Sequence, residues 1–289
     1  MKKNGRRKSH RLLLPITFMV GPTAGWLFAF LVLPLIYAVA MSFAKSGIYG
    51  GIVWEFSVAN YADMCNPIYF RVAVKSLKLA FDTSLWCLII SYPFAYILSK
   101  ISNKWKGLCM LLIMLPFWIN GLIRLNGWAN VLRDTGLINT ALLKLGIIHK
   151  PIEMMFTNGA ILFGMVYTFF PFMVLPILTS ISKIDKNLIE AAQDLGATRI
   201  KTFIRVIFPL TVPGVFAGVI QVFIPSLGAF YISDIMGGGN TTLIGNLIKN
   251  QFLSARNWPL GAAFSVAMIL FTLIVMRLYS KVGNLEDMA

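Results

Sequence analysis

Three charged side chains stand against long apolar runs, and they are the groups whose position invites chemistry: Asp82, Arg124 and Asp234. A charge near membrane depth is costly, so it calls for a reason. Asp234 lies in "AFYISDIMGGG", beside Phe230 and Tyr231. A carboxylate next to aromatic faces can hold an alkylammonium by charge and cation–π attraction together. Trp118 and Asn120, inside an apolar run, are candidates to line the same path, as is Asp82. The competing reading puts each charge at the headgroup level, snorkelling or paired, and packs the aromatics between helices or in an interfacial belt. Catalytic chemistry has no foothold. There is no Gly-x-x-x-x-Gly-Lys-Ser/Thr, and Gly237-Gly238-Gly239 lacks the lysine, so the chain is not expected to bind ATP. His10 and His149 lie far apart and suggest neither a metal site nor a nucleophile–base pair. Cys65, Cys87 and Cys109 lack metal-ligand spacing and read as packing residues. No catalytic residue, metal or cofactor of its own is expected.

Groups of this kind need membrane helices to position them. The 289 residues are 57% hydrophobic and 13% charged, where a soluble domain is about a quarter charged. A net charge of +15 raises nucleic acid as a partner. The basic residues cluster beside apolar runs rather than along a stripe, so membrane orientation accounts for them and no nucleic acid is expected. An all-α protein of six membrane helices follows. Residues 12–44 carry no charge, too long for a secretory signal core of about 7–15 residues. The first span is therefore uncleaved, at about residues 16–41. A mixed loop with Gly47, Gly50 and Gly51 occupies 45–78, and the second span, 83–99, is headed by Asp82. The third, 107–123, contains Pro116, Trp118 and Asn120 and ends at Arg124, and a partly helical loop follows it. The fourth lies within 154–182, broken by Pro171 and Pro176. The fifth falls within 212–232 and the sixth within 257–276, with a glycine-rich loop between them.

Six spans leave both termini on one side. The terminal segments and the loops after spans two and four hold 16 Lys or Arg over about 58 residues, against 10 over about 98 in the three opposite loops. The first set is therefore expected in the cytoplasm.

That set includes residues 183–213, the longest charged segment on the basic side. It is patterned as two short helices. Asp185 can cap the first, with Leu188, Ile189, Ala192 and Leu195 on one face and Glu190, Gln193 and Asp194 on the other. Gly196 suits its stop, since glycine enters the left-handed cap freely. Thr198 can cap the second, with Ile200, Phe203, Ile204, Ile207 and Phe208 on its face, and Pro209 and Pro213 are expected to break it. By pattern alone it is equally an amphipathic loop on the membrane surface.

The residue identities are more specific. Glu190-Ala191-Ala192, Gly196, then Val206, Phe208 and Pro209 resemble the Glu-Ala-Ala signature of permease subunits in ATP-binding-cassette importers, with Val206 and Phe208 standing where that signature has Ile and Leu. Further stretches, "NPIYFRVAVKSLKLA", "LPFWINGLIRLNG" and "FYISDIMGGGNTTLIGN", are similar to the spermidine/putrescine permeases of the PotB type, over most of residues 66–276. The resemblance implies a type I importer permease fold: residues 1–44 as basic cytoplasmic N-terminus and first helix, 66–280 as a five-helix core, and 183–213 as the coupling loop. It implies ATPase coupling through Glu190, Ala191, Ala192, Asp194, Gly196 and Pro209. It also implies a second, PotC-like permease subunit, two copies of a PotA-like ATPase holding ATP and magnesium, and an extracytoplasmic PotD-like polyamine-binding protein, all at a bacterial cytoplasmic membrane. The alternatives are an importer for another small solute and a secondary transporter driven by an ion gradient. The latter would show related halves with interrupted helices.

Overall fold

The computed structural model describes residues 20–239 and 241–286. The basic stretch 1–11, with His10, and the start of the first span lie outside them. Among the described residues five helices are long and apolar enough to cross a membrane, or six with one bent pair counted as a single crossing. Contacts divide the chain into two units: Met1–Cys65 with Asn250–Leu270, and Asn66–Lys249 with Phe271–Ala289.

In the first unit, α1 (Val20–Ser42) is the first apolar helix. A π turn at Phe28–Val32 immediately precedes Leu33-Pro34, and the Leu33 N–H reaches the Phe28 carbonyl. Proline clashes with the carbonyl of the preceding turn, and a wide turn relieves the crowding. Two short strands, β1 (Lys45–Ser46) and β2 (Ile52–Val53), then pair antiparallel. Gly50 and Gly51, at φ 89° and 86°, supply the left-handed backbone of their turn. Lys45 Nζ lies 2.8 Å from Glu55, and this ammonium holds the carboxyl below its ordinary range. Buried Asn60, on α2 (Ala59–Met64), donates to the carbonyls of Ser42 and Ala44 at 2.9 and 2.8 Å, satisfying acceptors left open at the end of α1.

In the second unit, α3 (Pro67–Lys100) is 34 residues long, about 51 Å at helical rise. Its first third falls in the stretch expected to be loop. Asn66 accepts the Ile68 N–H at 3.0 Å and Pro67 takes the first helical position, a strong start signal that the charges at Arg71, Lys75 and Lys78 obscured. Asp82 therefore sits mid-helix, not at the head of a span.

The third crossing is also corrected. Helix α4 (Asn103–Met114) tightens to a 3-10 turn at Leu115–Trp118 and stops. Asn120 starts α5 (Gly121–Leu132) by accepting the Leu122 N–H at 2.8 Å, and α6 (Leu137–Lys144) continues it. The two halves, Lys104–Trp118 and Gly121–Lys144, are bent by 96°. Pro116 and the capping Asn120 make the break, so Trp118 and Asn120 lie at a corner rather than inside a span, and Arg124 lies on the second arm.

Conversely, α7 (Asn158–Lys183) runs unbroken through Pro171 and Pro176. Met173, Val174 and Ile177 are wholly buried there, and packing of this kind offsets the roughly 3 kcal/mol that an interior proline costs a helix. After α8 (Lys186–Asp194), helix α9 (Arg199–Gly228) likewise passes through Pro209 and Pro213, which do not end it. The device of α1 recurs: a π turn, Phe203–Ile207, precedes Phe208-Pro209, and the Phe208 N–H reaches the Phe203 carbonyl. The glycine-rich loop is largely helical, as α10 (Phe230–Gly237) and α11 (Ile244–Leu253), and α12 (Trp258–Glu286) completes the chain.

Helices α3, α7 and α9 pack on one another and carry the core. Gly214 and Gly218 make the close approach of α9 to α7 possible. A Cβ on Gly214 would stand 2.7 Å from the Pro176 carbonyl oxygen, and one on Gly218 would stand 2.7 Å from Met173 Sδ. This four-residue spacing of small residues is how membrane helices approach without a hydrophobic driving force.

Candidate functional site

The charged stretch forms the first short helix and both caps that its pattern predicts, while the second helix runs on into the membrane as α9. Asp185 accepts the Asn187 N–H at 3.0 Å and Thr198 accepts the Lys201 N–H at 3.4 Å. Gly196, at φ 81°, closes α8, and its N–H donates to the Gln193 carbonyl at 2.8 Å. Glu190, Ala191, Asp194, Gly196 and Pro209 are exposed, and Ala192 is half-buried. Glu190 makes no hydrogen bond or ion pair with a described residue. The apolar side is also largely uncovered by this chain, with Leu195 90% and Ile200 72% exposed. A helical hairpin that leaves its glutamate unpartnered among the described residues and Leu195 and Ile200 uncovered is built to meet another surface.

Its aromatic contact with α3 is not signalled by the sequence pattern. Tyr92 and Tyr96 of α3 meet the ring of Phe203 edge-on at centroid distances of 5.7 and 5.4 Å, and Tyr92 also meets Phe208 at 5.6 Å. The Tyr92 hydroxyl donates to Thr211 Oγ1 at 2.7 Å, since the Thr211 hydroxyl itself donates to the Phe208 carbonyl. The clasp grips the π turn inside α9, between its hairpin end and its membrane part. Tyr92→Phe is expected to cost about 1 kcal/mol, seen as a lower melting temperature of the purified protein with its expression retained. An unchanged melting temperature would deny the hydrogen bond a part in the clasp.

The second cluster centres on Asp234. Gly245 lets the start of α11 lie close against the end of α9, since a Cβ there would be 2.9 Å from the Gly228 carbonyl oxygen. That approach brings Asn246 and Lys249 to α10. Asn246 Nδ2 donates to Asp234 Oδ1 at 2.6 Å and to the Phe230 carbonyl at 3.1 Å. Lys249 Nζ lies 2.5 Å from Asp234 Oδ2 and 5.6 Å from the centre of the Phe230 ring. Asp234 and Phe230 therefore do share a cation, as their types suggested, and that cation is a lysine of the same chain. Sequence reading missed Asn246 and Lys249, although their spacing of three on an amphipathic segment puts both on one helix face.

The remaining candidates do not converge there. Tyr231 packs edge-on to Phe230 and turns toward Gly121 and Arg124. Arg124 sits over the rings of Phe117 and Tyr167, at 4.6 and 5.7 Å, and lines an apolar cavity of about 420 Å³ with Trp128 and Phe163. A resident cation so close makes Tyr231 a poorer seat for a cationic ligand than Phe230. Trp118 is 83% exposed, and the Asn120 side chain is engaged in its cap. Asp82, half-buried on α3, has no hydrogen bond or ion pair with a described residue. Among the described residues no three His, Cys, Asp or Glu side chains gather as metal ligands.

Comparison with known proteins agrees with this architecture. The profile of the family described as "Binding-protein-dependent transport system inner membrane component" matches residues 7–283. The spermidine/putrescine transport system permease protein PotB of Escherichia coli K12 is 43% identical over 267 residues, 92% of this chain and 97% of that protein. PotB of Haemophilus influenzae is 39% identical over 90% of this chain and 91% of its own length. In fold, the chain resembles a crystallised bacterial ABC transporter involved in the import of alginate, with a TM-score of 0.79 over 96% of this chain and 97% of that one, at 17% identity. The chain belongs to the binding-protein-dependent transport system inner membrane components, as a multi-pass permease of the ATP-binding-cassette importers.

Proposed function

We propose that this chain is one of two permease subunits of an ATP-driven importer of polyamines, spermidine and putrescine among them. The observation that carries the substrate is 43–44% identity, over nine-tenths of the chain or more, to permeases of spermidine/putrescine transport systems. A cluster already arranged around a primary alkylammonium supports it. The chain pairs with a second permease subunit. An extracytoplasmic binding protein delivers the polyamine, and two ATPase subunits beneath the membrane hold ATP and magnesium. Both termini and the α8 hairpin face the cytoplasm, where Glu190, Ala191, Ala192, Asp194 and Gly196 meet the ATPase. Closure of the ATPase pair moves the hairpin, and the Tyr92–Phe203 clasp with the helix through Pro209 carries that movement into α3 and α9. Asp234, Phe230 and Asp82 hand the polycation along, weakly enough to release it.

Labelled spermidine uptake by cells with and without this chain is the direct test. Asp234→Asn is expected to reduce uptake about 10-fold, the equivalent of losing a charge-assisted contact of about 1.5 kcal/mol. Uptake of an anion or a sugar instead, with spermidine ignored, would overturn the substrate while leaving the permease assignment intact.

A further inference from the structure

Asp234 carries an alkylammonium before any substrate arrives. Lys249 Nζ is 2.5 Å from its Oδ2, within 5.6 Å of the Phe230 ring centre, and the other carboxylate oxygen is held by Asn246 at 2.6 Å. A lysine side chain is a primary ammonium on a flexible four-carbon stem, which is chemically one end of a putrescine. The carboxylate and the aromatic face expected to receive a polyamine end are thus both engaged by the protein's own ammonium, with Asn246 holding the carboxylate in place.

The partial exposure of the pair matters. The side chains of Lys249 and Asp234 keep 28% and 37% of their surface accessible. An ion pair at this exposure is worth about 0.2–1 kcal/mol, so it forms readily and opens readily. A bare carboxylate close to membrane depth is expensive, and Lys249 removes that cost in the unloaded state. When a second ammonium approaches, the lysine stem is long enough to swing its charge to water, and the carboxylate changes partner without ever standing alone.

We propose that Lys249 is a tethered competitor that a polyamine must displace from Asp234, and that this displacement keeps binding in the permease weak and release fast. It is a specificity-determining residue, resting on the polyamine reading given above. A solute without a cationic end has nothing to exchange for the lysine, so the pair also discriminates against neutral solutes.

The test uses the complete complex of both permeases and the ATPases, reconstituted in lipid, with the binding protein left out for the binding measurements and added for import. Equilibrium binding and release of labelled spermidine are measured. Lys249→Met is expected to tighten binding about 1.4- to 5-fold, the range that loss of a partly exposed pair implies, and to slow release by a similar factor. Lys249→Arg should restore wild-type behaviour. Asp234→Asn with Lys249→Met should bind no better than Asp234→Asn alone, because the competitor acts only through that carboxylate. Lys249→Met binding unchanged or weaker, in a complex that still imports spermidine and melts at the wild-type temperature, overturns the competitor and leaves the substrate intact. A wild-type complex that imports no polyamine removes the substrate reading, and the competitor falls with it.

Discussion

Gly196→Asp is expected to abolish uptake while leaving the isolated chain folded. Gly196 closes α8 at φ 81°, and a Cβ built on it meets no atom of this chain within 4 Å. The left-handed conformation costs an ordinary residue about 1–2 kcal/mol, and Asp tolerates it better than most. Strain is therefore modest and an internal clash is absent. The loss must come from what lies outside: a carboxylate pressed into a surface that receives a helix end, unpaired and desolvated. Such a charge costs about 2 kcal/mol or more at an interface, so co-purification of the ATPase is expected to fall about 30-fold or more. Gly196→Ala separates the two contributions, losing only the conformational part. Uptake and ATPase capture that both survive Gly196→Asp would mean that this bend is not gripped by the ATPase.

Gly214→Leu has the opposite signature, since the damage lies within the chain. Its Cβ would fall 2.7 Å from the Pro176 carbonyl oxygen and 2.7 Å from Ser180 Cβ. A backbone oxygen cannot rotate away, and α7 is locked in the core by its own wholly buried Met173, Val174 and Ile177. Overpacking of this kind costs about 1–3 kcal/mol, occasionally more. The expected result is a lower melting temperature and a smaller folded fraction in the membrane, with binding of the ATPase by the surviving fraction unchanged. Gly214→Ala should show a milder form of the same loss. Full stability of Gly214→Leu would mean that α7 and α9 lie further apart than described.

The sequence was most legible where a local rule decides the structure. Asp185, Gly196 and Thr198 set the hairpin because caps and left-handed stops are chosen by the residue at one position. Apolar length placed the first, fourth, fifth and sixth membrane helices. Proline was the recurrent misreading. Pro171, Pro176, Pro209 and Pro213 are expected to break helices and do not, whereas the segment at Pro116 breaks, where Asn120 is ready to cap a new start. Whether a proline ends a helix depends on what packs around it and on whether a π turn absorbs the clash, and neither is written in the neighbouring residues. Asp82 was misplaced because lysines and arginines lowered the hydropathy of a helical turn that Asn66 and Pro67 had already announced. For Asp234 the residue types pointed to an ammonium partner, but the partner is fifteen positions away on another helix. Charge alone cannot name it, because Lys249 and any soluble amine satisfy the same carboxylate.

The wide turn at Phe203–Ile207 has a geometric consequence for the rest of α9. It holds one residue more than an α-helical turn, and each residue of an α-helix accounts for about 100° of rotation. The face that Ile200 presents is thereby dephased from the stripe that Gly214 and Gly218 occupy, and counting by fours from one to the other lands on the wrong side. Removing a single residue from that stretch would let the helix wind regularly and leave the hairpin and the buried seam facing as they do, whereas rewinding the same residues as regular α-helix would swing the cytoplasmic hairpin by about 100° round the axis.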